Sequence, residues 1–282
     1  MEAPNNVETV RRVWVYRHTI PIRILHWINA LSLILLFMSG LQIFNAHPAL
    51  YRGAKSVFAA PILSMEADPN NDQRGVTKIF GRDYDTTGWL GVTSDADGSQ
   101  AERGFPAWIT LPGNQNLPGG RRWHFFFAWL FAINGILYLA YGFASSHFRR
   151  DIAADKSELA DIPHSIWEHI RLKFPKGEAA KRYNVLQKLT YLTVIFIMLP
   201  VMVLAGLTMS PAMDTAAPWL LSIFGGRQSA RTIHFAIAWG LFAFLIVHVV
   251  MVIVSGFWNN LRSMITGRYD IENETKTSKA EN

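Results

Sequence analysis

Four apolar runs leave this chain few ways to fold. They cover residues 19–46, 123–146, 187–209 and 230–258, and none contains Asp or Glu. Each is long enough for a bilayer, which takes about 20 apolar residues. Inside lipid every backbone N–H and C=O must find a partner within the protein, so the runs are read as helices. The expected fold is an all-α membrane protein, a bundle of four transmembrane helices. The first twenty residues are polar and the first run is too long for the core of a signal peptide, so that span is expected to stay.

The charged residues fall between the runs. Residues 1–18 form a basic arm, 47–122 a long connection rich in Gly, Pro, Asp and Asn, 147–186 a basic loop, and 263–282 a polar tail expected to be disordered. The arm, the 147–186 loop and the tail are basic at their membrane edges. Four spans put these three on one side, so both termini are expected in the cytoplasm and the long connection outside. The same pattern accounts for the net charge of +6 without nucleic acid. Within the long connection, Trp89, Phe105, Trp108 and Ile109 are candidates for a small core or a docking surface.

The chain has no cysteine. That excludes iron–sulfur clusters and zinc on thiolates, haem attached through C-x-x-C-H, and disulfides. A metal must be held by His, Met or carboxylate. In the last run His234 and His248 stand fourteen residues apart. That is close to four helical turns, so both rings leave one face, roughly 21 Å apart along the axis. Depth gives each a partner: His26 on the first span with His248 near the inner face, and His124 on the second with His234 near the outer. Two haems between paired imidazoles fit this spacing. A non-haem metal, a proton path and plain packing stay open, though the absence of carboxylates in the runs disfavours a carboxylate relay. Arg17 and Arg23 beside the inner pair, and Arg121, Arg122 and Arg231 beside the outer, are candidates to hold haem propionates. Gly40, Gly135, Gly206 and Gly240 are expected where helices approach closely. His18 is read as a solvated interfacial residue. His47 and His147 are substitutes by depth, and His164 and His169 face solvent on an amphipathic helix over 162–174.

The segments RILHWINA around His26, GRRWHF before span two, YNVLQKLTYL into span three, GLTMSPAM at its end, and GRQSARTIHF and VHVVMV on span four carry a resemblance. They resemble the bacterial di-haem cytochrome b family. This includes the membrane subunits of nickel–iron hydrogenases, formate dehydrogenases and thiosulfate reductases, and the prokaryotic cytochrome b561 proteins. The resemblance implies two haems b, the outer held by His124 and His234 and the inner by His26 and His248. It implies a subunit of the bacterial cytoplasmic (inner) membrane that passes electrons between a periplasmic catalytic partner and the quinone pool, with quinone near the inner haem. The 47–122 loop is longer than the family's usual version. It is expected to dock that partner, with a molybdenum enzyme as one candidate. A self-contained quinone-dependent superoxide oxidase is the alternative function.

Overall fold

A computed structural model describes residues 8–171 and 184–276. A strand, β1 (Glu8–Tyr16), leads into the long helix α1 (Ile20–Asn45), with Pro21 in its first turn. Six strands follow: β2 (Ala49–Leu50), β3 (Leu63–Asp68), β4 (Asn71–Ile79), β5 (Arg82–Asp85), β6 (Gly91–Ser94) and β7 (Gln100–Arg103). Next come the long helix α2 (Leu117–Ala144) and two short ones, α3 (Lys156–Ala160) and α4 (Ile162–Ile170). The third span is α5 (Val185–Thr193), a π-turn over Val194–Met198, and α6 (Leu199–Leu207). Two short helices, α7 (Pro211–Ala216) and α8 (Pro218–Ile223), precede α9 (Arg227–Val254). The described chain ends with α10 (Phe257–Thr266) and β8 (Arg268–Lys276).

The chain is mostly helical, and four helices are long and apolar enough to cross a membrane: Ile20–Asn45, Leu117–Ala144, Val185–Leu207 and Arg227–Val254. The boundaries have local causes. Helix α2 starts at Leu117, earlier than expected, because Asn116 Oδ1 accepts the Gly119 N–H at 2.8 Å and Pro118 suits a first turn. Gly256, at φ 112°, ends the last span early and splits off α10. The π-turn in span three lies directly before Pro200, whose missing N–H and bulky ring disturb the ladder there.

Two expectations need correction. The chain is not all-α, because the long connection folds as β-structure. Strands β2–β5 form one antiparallel sheet in the order β2-β3-β4-β5, and β6 pairs with β7. Tight turns make this possible: Asp68 Oδ1 accepts the Asn70 N–H at 2.9 Å, and Phe80–Gly81 closes the β4–β5 hairpin. The tail is not disordered through its described part either. Residues 268–276 pair antiparallel with β1, from Tyr16↔Arg268 to Glu8↔Lys276. The β-branched and aromatic residues Val13, Val15, Tyr269 and Ile271 suit that pairing. Residues 172–183, which include the end of the expected 162–174 helix, lie outside the described residues, as do 1–7 and 277–282.

The chain divides into two compact units. One comprises Met1–His26, Leu137–Ile195 and Phe244–Asn282. Here Arg17 and His18 donate backbone N–H groups to the Gly267 carbonyl, at 2.8 and 3.4 Å, fastening the arm to the C-terminal strand. Lys188, nearly buried, bonds both Glu158 oxygens at 2.7 and 2.8 Å and the Ala153 carbonyl at 3.2 Å. A buried ammonium tolerates such a place only when paired in this way.

The other unit comprises Trp27–Ile136 and Phe196–Ala243. Its core joins the β-structure to the helices: Leu41 and Phe44 of α1 pack with Leu50, Met65 and Phe105, and with the partly buried Ile109, Phe235 and Trp239. The connection is therefore no separate domain. Arg103, fully buried, bonds Asp95, the carbonyls of Phe105 and Gly113, and Thr110. The Gly53 carbonyl accepts from Gln228 and Ser229 at the start of α9, where helical N–H groups lack internal partners. Of the four residues singled out for this region, Phe105 and Ile109 enter the core. Trp89 and Trp108 stay 73% and 72% exposed and belong to the surface.

Candidate functional site

Each histidine pair lies within one unit. In the first, the rings of His26 (α1) and His248 (α9) have centroids 6.3 Å apart at an interplanar angle of 52°. Phe244, one turn before His248, stacks on it at 5.8 Å. Arg23, three residues before His26 and so on the same helix face, has a buried Nε with no hydrogen-bond partner. An unspent guanidinium N–H beside the pair suits an anionic group.

In the second unit, His124 (α2) and His234 (α9) have centroids 6.2 Å apart at 65°. Their outer ring edges are anchored. His234 Nδ1 lies 2.9 Å from the Met202 carbonyl. His124 Nδ1 lies 3.2 Å from the Leu36 carbonyl and 3.2 Å from Ser39 Oγ. Ser39 gives its own proton to the Leu35 carbonyl at 2.6 Å, so its oxygen is left to accept. A carbonyl only accepts, so both Nδ1 atoms carry the proton and both Nε2 atoms present a lone pair. This is how a protein orients a metal-binding imidazole.

Two α-carbons without side chains make room for these rings. A Cβ on Gly206 would stand 3.1 Å from His234 Cε1, and one on Gly40 would stand 3.4 Å from His124 Cε1. Gly240 likewise faces Met198, whereas Gly135 faces nothing within 4 Å and does not mark a close approach.

The spacing fits a metal between the rings. A bond of about 2.0 Å from metal to imidazole nitrogen, plus about 1.1 Å from nitrogen to ring centre, puts two opposed centroids about 6.2 Å apart. Among the described residues no group of three or more His, Asp or Glu could hold a metal ion. Two ligands per metal leave a non-haem ion short of donors, while haem iron takes its other four from the porphyrin.

Not every predicted residue takes its expected place. Arg231 turns to the β-structure, donating to the carbonyls of Ala49 at 2.9 Å and His47 at 2.6 Å, and it lies over the Phe44 ring. It is a clamp on the connection, which removes the reason to assign it to a propionate. Arg121 lies exposed over Phe125, and Arg122 is exposed. His18 is half-buried rather than solvated. Burial, then Arg17, His26, His147 and Arg23, push it down from the ordinary 6.5 to about 4. His47 stacks on Tyr51 at 5.6 Å, and burial followed by Arg231 lowers its pKa. His147 pairs with Asp151 at 2.8 Å. Sequence reasoning missed Ser39, whose signal was a small polar residue beside Gly40 in an apolar run.

The family model for prokaryotic cytochrome b561 matches residues 17–267, a stretch that includes all four histidines. The chain belongs to the prokaryotic cytochrome b561 family. It is accordingly a multi-pass membrane protein that binds haem b and transfers electrons. A relative from Azospira oryzae, which carries the name protein-methionine-sulfoxide reductase subunit YedZ1, is 26% identical over 236 residues. The match covers 82% of this chain and 87% of the relative. No solved structure matches this cytochrome b.

Proposed function

We propose that this cytochrome b carries electrons across the bacterial cytoplasmic (inner) membrane between the quinone pool and a periplasmic catalytic subunit. It does so through two haems b, one held by His26 and His248 and the other by His124 and His234. The observation that carries the reading is the pair of ring separations, 6.3 and 6.2 Å, each between different helices. Haem, when bound, supplies one-electron iron chemistry at each pair. The chain's own residues do the rest. The Leu36 and Met202 carbonyls hold the outer rings and raise their basicity, Gly40 and Gly206 let them seat, and Arg23 is the best-placed donor to an inner propionate. Arg121 and Arg122 are the remaining outer candidates.

The partner reading rests on the β-structure fastened over the ends of α1 and α9, and on its exposed Phe58, Phe80, Trp89 and Trp108. The relative named as a reductase subunit supports a reductase as the partner, by family resemblance a molybdenum enzyme, and the proposed electron source is quinol. A self-contained superoxide oxidase would need an open basic pocket at the outer pair, and the turning of Arg231 to the loop disfavours it.

Visible spectra and pyridine haemochrome counts on the detergent-purified protein test this. Wild type should hold two haems b per chain. His124→Ala and His234→Ala should each lose one and the same haem, and His26→Ala and His248→Ala the other. A single haem in wild type, or losses that ignore the pairing, would sink the assignment.

A further inference from the structure

Gly256, at φ 112°, ends the last span and turns the chain into α10, whose faces are reversed for a helix in water. Its polar side is spent on the protein. Asn259 donates to the Asp270 carbonyl at 2.8 Å and accepts the Asp270 N–H at 2.9 Å. Asn260 donates to the carbonyls of Val252 and Gly256, at 3.3 and 3.1 Å. Ser263, 2% exposed, donates to the Asn260 carbonyl at 2.7 Å. Trp258 and Ile265, two helical turns apart and so on one face, are turned outward, 73% and 57% exposed. A surface helix ordinarily does the opposite and lays its apolar stripe on the core.

Helix α4, in the same unit, repeats the pattern. Its Ser165 is buried, and Ser165 Oγ accepts at 3.4 Å from Asn184, the residue that caps the third span. Its Ile166 and Trp167 are exposed. Successive spans run in opposite directions, so the start of the third and the end of the fourth lie at one end of the bundle. Each helix also brings an exposed arginine over a tryptophan. The Arg262 guanidinium lies 5.1 Å from the centre of the Trp14 ring, and that of Arg171, the residue after α4, 4.4 Å from the Trp167 ring. A guanidinium stacked by its flat face keeps its edge N–H groups for an oxyanion.

We propose that α4 and α10 lie in the headgroup layer of the membrane, and that Arg171 and Arg262 bind the phosphates of anionic phospholipids there. Lipid is the occupant the observations favour. Outward apolar faces are unfavourable in water. These two stand where spans leave the bilayer, the depth at which tryptophan is enriched. Helices of this layer sink their apolar side about 5–10 Å toward the acyl chains and keep cationic side chains among the headgroups. The inward polar faces fit the same placement, because they leave no asparagine or serine of α10 to be stranded against lipid. A phosphodiester offers the charge and the paired oxygens that a guanidinium edge recognises. A zwitterionic lipid has the same phosphate with its charge cancelled, so discrimination between the two is the signature of the arginines. The site also bears on the inner histidine pair. Helix α10 continues the chain from the helix that carries His248, and β8 beyond it pairs with β1, which leads into the helix that carries His26. The leaflet, cytoplasmic by the proposed orientation, is the one part of this inference that rests on that reading.

The test uses the full haem-loaded chain in nanodiscs of mixed phosphatidylglycerol and phosphatidylcholine. The cysteine-free chain takes a single spin label through Ile265→Cys, Ile166→Cys or, as the aqueous control, Ala96→Cys. Labels at 265 and 166 should collide with oxygen in preference to a water-soluble nickel chelate, and the label at 96 should show the reverse. Lipid kept through detergent extraction and counted by native mass spectrometry should favour phosphatidylglycerol in wild type. Arg262→Gln and Arg171→Gln should each cut that preference about fivefold, the usual worth of one basic side chain at an anionic surface, with haem content and spectrum unchanged. A label at 265 or 166 that meets nickel as freely as the one at 96, or that is shielded from both reagents as between two copies of the chain, overturns the placement. Equal retention of the two lipids by wild type, or an unchanged preference in either glutamine variant with its haems intact, overturns the headgroup sites. The depth measurement leaves both arginines in place, so it decides the placement even where a glutamine variant fails to fold. Neither readout depends on which leaflet is involved, so a reversed orientation exchanges the leaflet and leaves the proposal standing.

Discussion

At the scale of residues, the outer pair depends on what is absent as much as on what is present. His234 lies against the Gly206 α-carbon with 3.1 Å left for a Cβ. A valine there brings a branched side chain up against the ring. Overpacking of this kind costs about 1–3 kcal/mol when the neighbour can yield. Here the neighbour is held by the Met202 carbonyl at 2.9 Å and cannot yield without giving up that bond. Gly206→Val should therefore drop the haem content from two per chain to one, with loss of the same species that His234→Ala removes. Gly135→Val, at the position facing open space, should leave both haems in place. A redox titration followed at the α-band reads both variants, and two intact haems in Gly206→Val would show that the ring is not packed as described.

Elements show how much could be read in advance. The apolar runs identify the helices, and the histidine spacing matches the two ring pairs that the structure brings to 6.3 and 6.2 Å, because a bilayer and a 3.6-residue turn leave little freedom. The β-structure of residues 46–116 was hidden for a physical reason. Its strands are short, and their inward faces are completed by Leu41 and Phe44 of α1 and by Phe235 of the far-off α9, so no local alternation announces them. The β4–β5 hairpin also defies its own turn rules. Ile79 pairs with Arg82, and Phe80 and Gly81 both have positive φ, 48° and 79°, as a type I′ turn requires. Asn or Asp is the usual first residue. A phenylalanine held left-handed costs about 1–2 kcal/mol, and this one is 80% exposed, so its ring gains nothing in the folded chain. Strain kept on an exposed aromatic argues for a use outside the chain. Phe80→Asn should stabilise the hairpin by about 1 kcal/mol, seen as slower hydrogen exchange of the Ile79 and Arg82 amides. The same change should lower the yield of soluble partner recovered with the protein from native membranes. A more stable hairpin with undiminished recovery would remove Phe80 from the docking surface.

Across the whole molecule, everything assigned to a side of the membrane rests on charge. The expected inner segments carry Arg11, Arg12, Arg17, Arg149, Arg150, Arg262 and Arg268 close to span ends. Among the arginines of the expected outer segments, Arg231 is spent on loop carbonyls and Arg227 is paired with Asp214, whereas Arg121 and Arg122 stay exposed at the start of α2 and run against the rule. The long connection adds Glu66, Asp68, Asp72, Asp83, Asp85, Asp95, Asp97 and Glu102. Orientation follows Lys and Arg near the spans, so the termini are expected inside and the β-structure outside. A chain without cysteine makes this measurable against a blank background. Ala96→Cys, exposed in the β6–β7 turn, should react with a membrane-impermeant maleimide in intact spheroplasts. Ala160→Cys, exposed at the end of α3, should react only after lysis. The opposite result would put the His124–His234 pair at the cytoplasmic face. A periplasmic catalytic subunit would then meet the His26 end, and the partner-docking role of the β-structure would fall with the orientation.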